Sequence, residues 1–184
     1  MSAFYFAFLA VLLAGVGARD QATVAALSAR QGSRPGVLLT GVFISVATAA
    51  FAAWAASFVV PLLAPRARLV MAAIVLAFAG LESLWPFTAR RMEEPTASLG
   101  ALGIVVLAHQ LTDAGRFLVF GLAVAMGAPV AAGIGGAAGG AASLALGWML
   151  PAVFGGVRLQ WVRRALGGVM LLAGLIVFFA AMTS

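Results

Sequence analysis

The sequence has no cysteine and no lysine. The missing cysteine removes disulfides, thiolate metal sites and cysteine nucleophiles from consideration. Charge of either sign is scarce: five Asp and Glu and eleven Arg in 184 residues, 9% charged against 64% apolar. A soluble domain carries about 25% charged residues, so too little polar surface remains to coat a globule in water. That excludes a soluble enzyme, a disordered chain and a disulfide-stapled secreted scaffold. With a mean hydropathy of +1.14, the expected class is an all-α integral membrane protein that crosses the bilayer several times. A net charge of +6 would suggest nucleic acid in a soluble chain. Here most of the Arg flank apolar segments, as topology signals do. The expected surroundings are a lipid bilayer and a small ion or solute, with no nucleic acid.

Six apolar segments stand out, and a spanning helix needs about 20 residues. They run from about Ala3 to Leu27, Gly36 to Val60, Leu69 to Trp85, Ser98 to Met126, Pro129 to Leu150 and Ala165 to Met182. Arg19-Asp20-Gln21 interrupts the first, and His109-Gln110 with Thr112-Asp113 interrupts the fourth. The first segment lacks the basic start of a cleavable signal peptide and reads as a span. Thr88 to Thr96 is polar, which divides the chain into a three-helix unit at 1–87, a linker at 88–97 and a second three-helix unit at 98–184.

Sliding the sequence by 95 positions lays one half on the other. Leu12 falls on Leu107, Leu27 on Leu122, Gly32 on Gly127, Gly41 on Gly136 and Arg68 on Arg163, and the two polar interruptions coincide. Each unit holds three helices, an odd number, so the halves insert with opposite orientation. The expectation is six transmembrane helices in an inverted 3+3 repeat, a transporter signature whose site lies at the repeat interface. Arg30, Arg34, Arg90, Arg91, Arg158, Arg163 and Arg164 fall in loops on one side, and Arg66 and Arg68 on the other. Arg-rich short loops stay cytoplasmic. This predicts a multi-pass protein of the cell inner membrane with both termini outside, in the periplasm. Trp85, Trp161 and Tyr5 fit interfacial anchors.

Ionisable groups inside spans are costly and face the bundle interior. The first segment offers Arg19, Asp20 and Gln21. The fourth offers His109, Gln110, Thr112, Asp113 and Arg116. Glu82 lies near the cytoplasmic end of the third. Two readings remain open. Arg19 with Asp113, and Asp20 with Arg116, could form a structural ion-pair layer; alternatively these groups line a substrate path. His109 and Asp113 stand four apart, on one face of a continuous helix, which suits a proton-passing pair or an ordinary packed histidine. In the fifth segment Gly135 with Gly139, and Gly136 with Gly140, make small-xxx-small pairs suited to close helix packing or to a membrane-protein partner or second copy. There is no Gly-x-Ser-x-Gly and no His-Glu-x-x-His, so no enzyme is expected.

The positions of the polar interruptions carry a resemblance. The chain resembles the Gdt-type cation antiporters, small six-helix proteins with one E-x-G-D-K/R-T/S motif per half, usually followed by Gln. The family includes bacterial manganese exporters and a Golgi manganese/calcium–proton exchanger. The likeness covers nearly the whole chain, with altered motifs. Gly15 to Gln21 occupies the first, keeping Gly17, a basic Arg19 and Gln21. Gln110 to Arg116 occupies the second, keeping Asp113, with Gln110 in place of Glu. The resemblance implies secondary transport, a manganese- or calcium-like cation exported against protons. Asp113 and Gln110 would be metal ligands, Gln21, Thr112 and Asp20 further oxygens, and His109 a proton partner. No bound cofactor is implied. Two acids and one base per family motif sum to −2 over the two halves, whereas Arg19, Asp20, Asp113 and Arg116 sum to zero. A divalent cation needs compensating negative charge. The substrate expected here therefore shifts toward a monovalent or zwitterionic solute. The alternative is a non-transporting structural or accessory subunit that keeps the fold.

Overall fold

The computed structural model describes residues 1–85, 98–154 and 158–183. The linker expected at 88–97, with Arg90 and Arg91, lies outside the described residues, as does the side chain of Arg158. Every regular element among them is helical: α1 (Ser2–Ala14), α2 (Arg19–Gln31), α3 (Pro35–Val59), α4 (Pro65–Leu84), α5 (Leu99–Leu111), α6 (Ala114–Met126), α7 (Pro129–Met149), the single turn α8 (Pro151–Phe154) and α9 (Arg158–Thr183). Proline opens α3, α4 and α7, where its missing N–H costs nothing and its fixed φ favours the helix.

Four helices, α3, α4, α7 and α9, are long and apolar enough to cross a membrane. Two further candidates are bent pairs. The axes of α1 and α2 diverge by 61°, and those of α5 and α6 by 52°. With each pair taken as one span, the number rises to six.

The first break falls at residues 15–18, so Arg19-Asp20-Gln21 is not the interruption itself but the opening turn of α2. The second falls at Thr112-Asp113. Adding 95 to the bounds of α2 gives those of α6. Both end on a glycine in the left-handed region, Gly32 at φ 72° and Gly127 at φ 60°, the usual helix stop. The packing follows the same exchange: α1 lies on α7 and α5 on α3, while α2 reaches α7 and α6 reaches α3.

Small residues set how closely the helices meet. A Cβ on Gly135 would run into the backbone oxygen of Phe4, and one on Gly139 would lie 2.5 Å from that of Phe8. The α1 backbone therefore rests directly on α7. Gly136 seats Val119 of α6, and Gly133 seats Ala53 of α3. These glycines are covered by the chain's own helices, while Val130 and Ile134 of α7 face outward. Leu102, Leu144, Val24, Val37 and Val106 form one apolar core between α2, α3, α5 and α7. Phe43, Phe51, Trp54 and Phe58 line the outside of α3, an apolar exposure suited to lipid and unsuited to water. Tyr5, Trp85 and Trp161 are exposed, and the Arg164 guanidinium lies 5.1 Å over the Trp161 ring.

The largest boundary difference from the sequence expectation is at the last helix. The last helix starts at Arg158 rather than Ala165, because its first turns are amphipathic and escape a search for unbroken apolar runs. Arg163 and Arg164 thus belong to a helix and not to a loop.

Candidate functional site

The two helix breaks meet. Gln110, at the end of α5, donates from Nε2 to Asp20 Oδ2 in the first turn of α2 at 2.9 Å, and its Oε1 accepts from Thr48 Oγ1 of α3 at 3.0 Å. Asp20 Oδ1 also accepts from the Gln21 backbone N–H at 2.8 Å. Gln21 donates from Nε2 to the Ser143 carbonyl at 2.9 Å and to Ser143 Oγ at 3.1 Å, and its Oε1 accepts the Gly17 N–H at 2.8 Å. Gln21 and Gln110 are fully buried, and both ends of each amide are occupied, as burial requires. The chain from Thr48 through Gln110 to Asp20 therefore ties α3, α5 and α2 together, and Gln21 ties the first break to α7.

Gly17 sits in the break at φ 73°, and a Cβ there would lie 2.9 Å from the Leu159 carbonyl. Both facts require glycine. Gly15 is as confined: a Cβ on it would overlap Ser143 Oγ. A larger side chain could not occupy that place with α7 where it is.

A second group of charges lies beside the first. Arg163 of α9 donates from Nη2 to both carboxylate oxygens of Glu82 at 2.5 Å and stands 3.7 Å from Asp113 Oδ1. Arg19 Nη2 is 3.6 Å from Glu82 Oε1. Glu82 Oε2 also accepts the Ala114 N–H at 3.3 Å, and Asp113 caps α6 by accepting the Gly115 N–H at 3.1 Å. Two carboxylates therefore stand at the N-terminus of α6, where the helix dipole favours negative charge. Glu82 lies two residues from the end of α4, yet it is part of the cluster. Arg163 is 2% exposed.

The crosswise ion pairs expected from the sequence do not form as drawn. Arg19 meets Glu82, Arg163 meets Glu82 and Asp113, and Arg116 has no ion pair among the described residues. Arg116 donates instead from Nη2 to Ser45 Oγ at 3.0 Å. The expected His109–Asp113 face is also lost, because the helix breaks between them. His109 is half-buried, and Asp20 and Arg19 lie within electrostatic reach of it. Thr112 is exposed, and its hydroxyl is held locally by the carbonyls of Ala108 and His109. Asp113, Gln110, Arg116, Arg19, Asp20, Gln21 and Gly17 all gather at the breaks; Thr112 turns away.

The sequence reading placed Arg163 in a loop and Glu82 near a helix end, and gave neither a role in the substrate path. One signal was available: the 95-residue offset lays Arg68 on Arg163, and Arg68 holds the carbonyls of Val60 and Leu63.

The charges sum to zero. Arg19, Arg116 and Arg163 face Asp20, Glu82 and Asp113. Glu82 restores one negative charge to the motif count, and Arg163 cancels it. Comparison with protein-family models, curated proteins and solved structures returned no match.

Proposed function

We propose that this chain is a small secondary transporter of six spans in an inverted 3+3 repeat, with its site where the two broken helices meet. The observation that carries this reading is the pair of breaks in register, joined by the Gln110–Asp20 hydrogen bond. Broken helices leave backbone groups without helical partners inside an apolar layer, which is tolerated where they border a polar cavity or protein. Half-helix ends near the midplane of a repeat interface are how many transporters hold substrate and coupling ions. The resemblance to Gdt-type antiporters points the same way and adds proton coupling. Asp113 is the central carboxylate of this reading, Glu82 and Asp20 stand beside it, and His109 serves as the proton partner of Asp20. Because the cluster is neutral, a monovalent or zwitterionic solute suits it better than manganese or calcium.

The test is flux in proteoliposomes holding the purified chain, under proton gradients of either sign, with manganese, calcium and sodium as probes. Uptake or export driven by the proton gradient is expected, and Asp113→Asn is expected to abolish it while the helical circular dichroism persists. No gradient-driven flux of any probe, in liposomes shown to be sealed, would overturn the cation form of the proposal.

A second reading has its own observation. The carboxylates of Asp20, Glu82 and Asp113 and the amides of Gln21 and Gln110 already have partners within the chain, as a structural ion-pair core would have them. A non-transporting accessory subunit predicts that Asp113→Asn lowers thermal stability and that the unaltered protein shows no flux.

A further inference from the structure

α2 shows the outside a face of a different kind from its neighbours. α1 exposes Tyr5, Phe6, Leu9 and Leu13, and α5 exposes Ile104, Leu107 and Leu111, as helices against acyl chains do. α2 exposes no large apolar side chain; its Val24 and Leu27 turn into the core. Its outward residues are Ala26, Ala29 and Arg30, with Arg19 and Ala22 half-buried. Arg19, Ala22, Ala26 and Ala29 recur at steps of three or four residues, so they share one side of the helix, a strip about 15 Å long. One end of the strip is at the break, where the Arg19 side chain is 31% exposed and stands beside Glu82. The other end approaches Gly32. A guanidinium held in hydrocarbon is costly, so this strip makes a poor surface for lipid and an ordinary one for water.

The matching face of α6 is closed. The 95-residue offset lays Ala26 on Gly121 and Ala29 on Val124, and both of these are buried. A Cβ on Gly121 would lie 3.0 Å from Val75 Cγ1, and one on Gly127 would lie 3.0 Å from Arg68 Nη1. α4 therefore covers α6 from its middle to its end. The same offset lays α4 on α9, yet α9 packs on α4 and leaves the strip on α2 uncovered.

We propose that this strip of α2 lines a water-filled vestibule, open at the Gly32 end, through which small hydrophilic solutes and protons reach the charged cluster, and that α4 on α6 seals the opposite route. Arg19 stands where the vestibule meets Glu82. His109, half-buried and within electrostatic reach of Arg19, is wetted at its inner end. What passes along it rests on the transport reading; the water in it does not.

The experiment uses the full chain, whose lack of cysteine makes each introduced thiol the only one. Ala22→Cys, Ala26→Cys, His109→Cys, Ile104→Cys, Val124→Cys and Ser33→Cys are placed singly in sealed proteoliposomes. A small, charged, impermeant methanethiosulfonate is added on either side, adduct mass gives the rate, and circular dichroism identifies the folded variants. Such reagents attack the thiolate, which needs water. Ala22→Cys, Ala26→Cys and His109→Cys are expected to react from the face that labels Ser33→Cys. Their rates should exceed those of Ile104→Cys on the lipid side and Val124→Cys under α4 by about tenfold or more. Ala22→Cys and Ala26→Cys as slow as Ile104→Cys would overturn the vestibule, whether lipid or a second copy of the chain lies on α2. A folded but silent His109→Cys would overturn its reach to the cluster, and Val124→Cys as fast as Ala26→Cys would overturn the seal. Labelling needs no gradient. A chain that labels as expected and carries no probe keeps the vestibule and fails as a transporter; one that carries a probe while α2 stays silent does the reverse.

Discussion

At the scale of single residues, Glu82 joins most of the cluster. Its carboxylate holds Arg163, stands beside Arg19 and accepts the first free N–H of α6. Removing its charge leaves Arg163 buried with a weaker partner. Breaking one side of a buried ion pair costs about 3 kcal/mol or more. Glu82→Gln is therefore expected to lower stability by about that amount, read as a fall in Tm in nanodiscs. The double change Glu82→Leu with Arg163→Met is expected to recover most of the loss, because an apolar pair of similar volume is often as stable as the buried salt bridge it replaces. A double variant no better than Glu82→Gln alone would show that Arg163 is not the partner that matters.

The residues at the breaks were readable from the sequence because polar groups inside apolar runs stand out. Glu82 and Arg163 were not. Each lies within a few residues of a segment end, where a charge reads as topology or solvation. What draws them into the interior is the close packing of α4 on α9, in which Gly80 and Gly167 approach each other backbone to backbone. That contact between distant helices leaves no periodic mark. The proposed His109–Asp113 face failed for a related reason: four-residue spacing means one face only while the helix is continuous.

At the scale of elements, the breaks depend on glycine in one place and on packing elsewhere. Gly17→Ala must adopt a positive φ and press against the Leu159 carbonyl. Strain of this kind costs about 1–3 kcal/mol. Gly168, inside α9, borders open space: a Cβ there would meet nothing within 4 Å, and Ala is the better helix former by about 1 kcal/mol. Gly17→Ala is thus expected to lower Tm, and Gly168→Ala to leave it unchanged or raise it. Equal effects of the two would mean that the break does not need its left-handed residue. Gly139→Leu is expected to be worse than either, since it forces α1 off α7; loss of folded protein in size-exclusion chromatography checks it. The half-helices themselves were legible in outline. The 95-residue offset aligned the two interruptions, and the matching bounds of α2 and α6 carry that correspondence down to the terminal glycine.

At the scale of the whole molecule, the outstanding choice is between spans and re-entrant turns for the two bent pairs. The lack of cysteine makes the test direct. Ser2→Cys and Ser33→Cys flank the α1–α2 pair, and Ser98→Cys and Ala128→Cys flank the α5–α6 pair. Six spans predict that each flanking pair labels from opposite sides of the membrane with an impermeant maleimide. They also predict that Ser2→Cys and Thr183→Cys label together. Same-side labelling within either flanking pair would make that pair re-entrant and reduce the count. The Arg distribution further predicts that Ser33→Cys faces the cytoplasm.

The equal numbers of Arg and carboxylate in the cluster have an electrical meaning. A charge carried through the full membrane field gains or loses about 2.3 kcal/mol per 100 mV, but three positive and three negative groups moving as one body gain nothing. If the chain transports as proposed, an empty carrier whose cluster moved as one body would reset at the same rate in polarised and depolarised cells. Voltage would act only on what the protein had aboard.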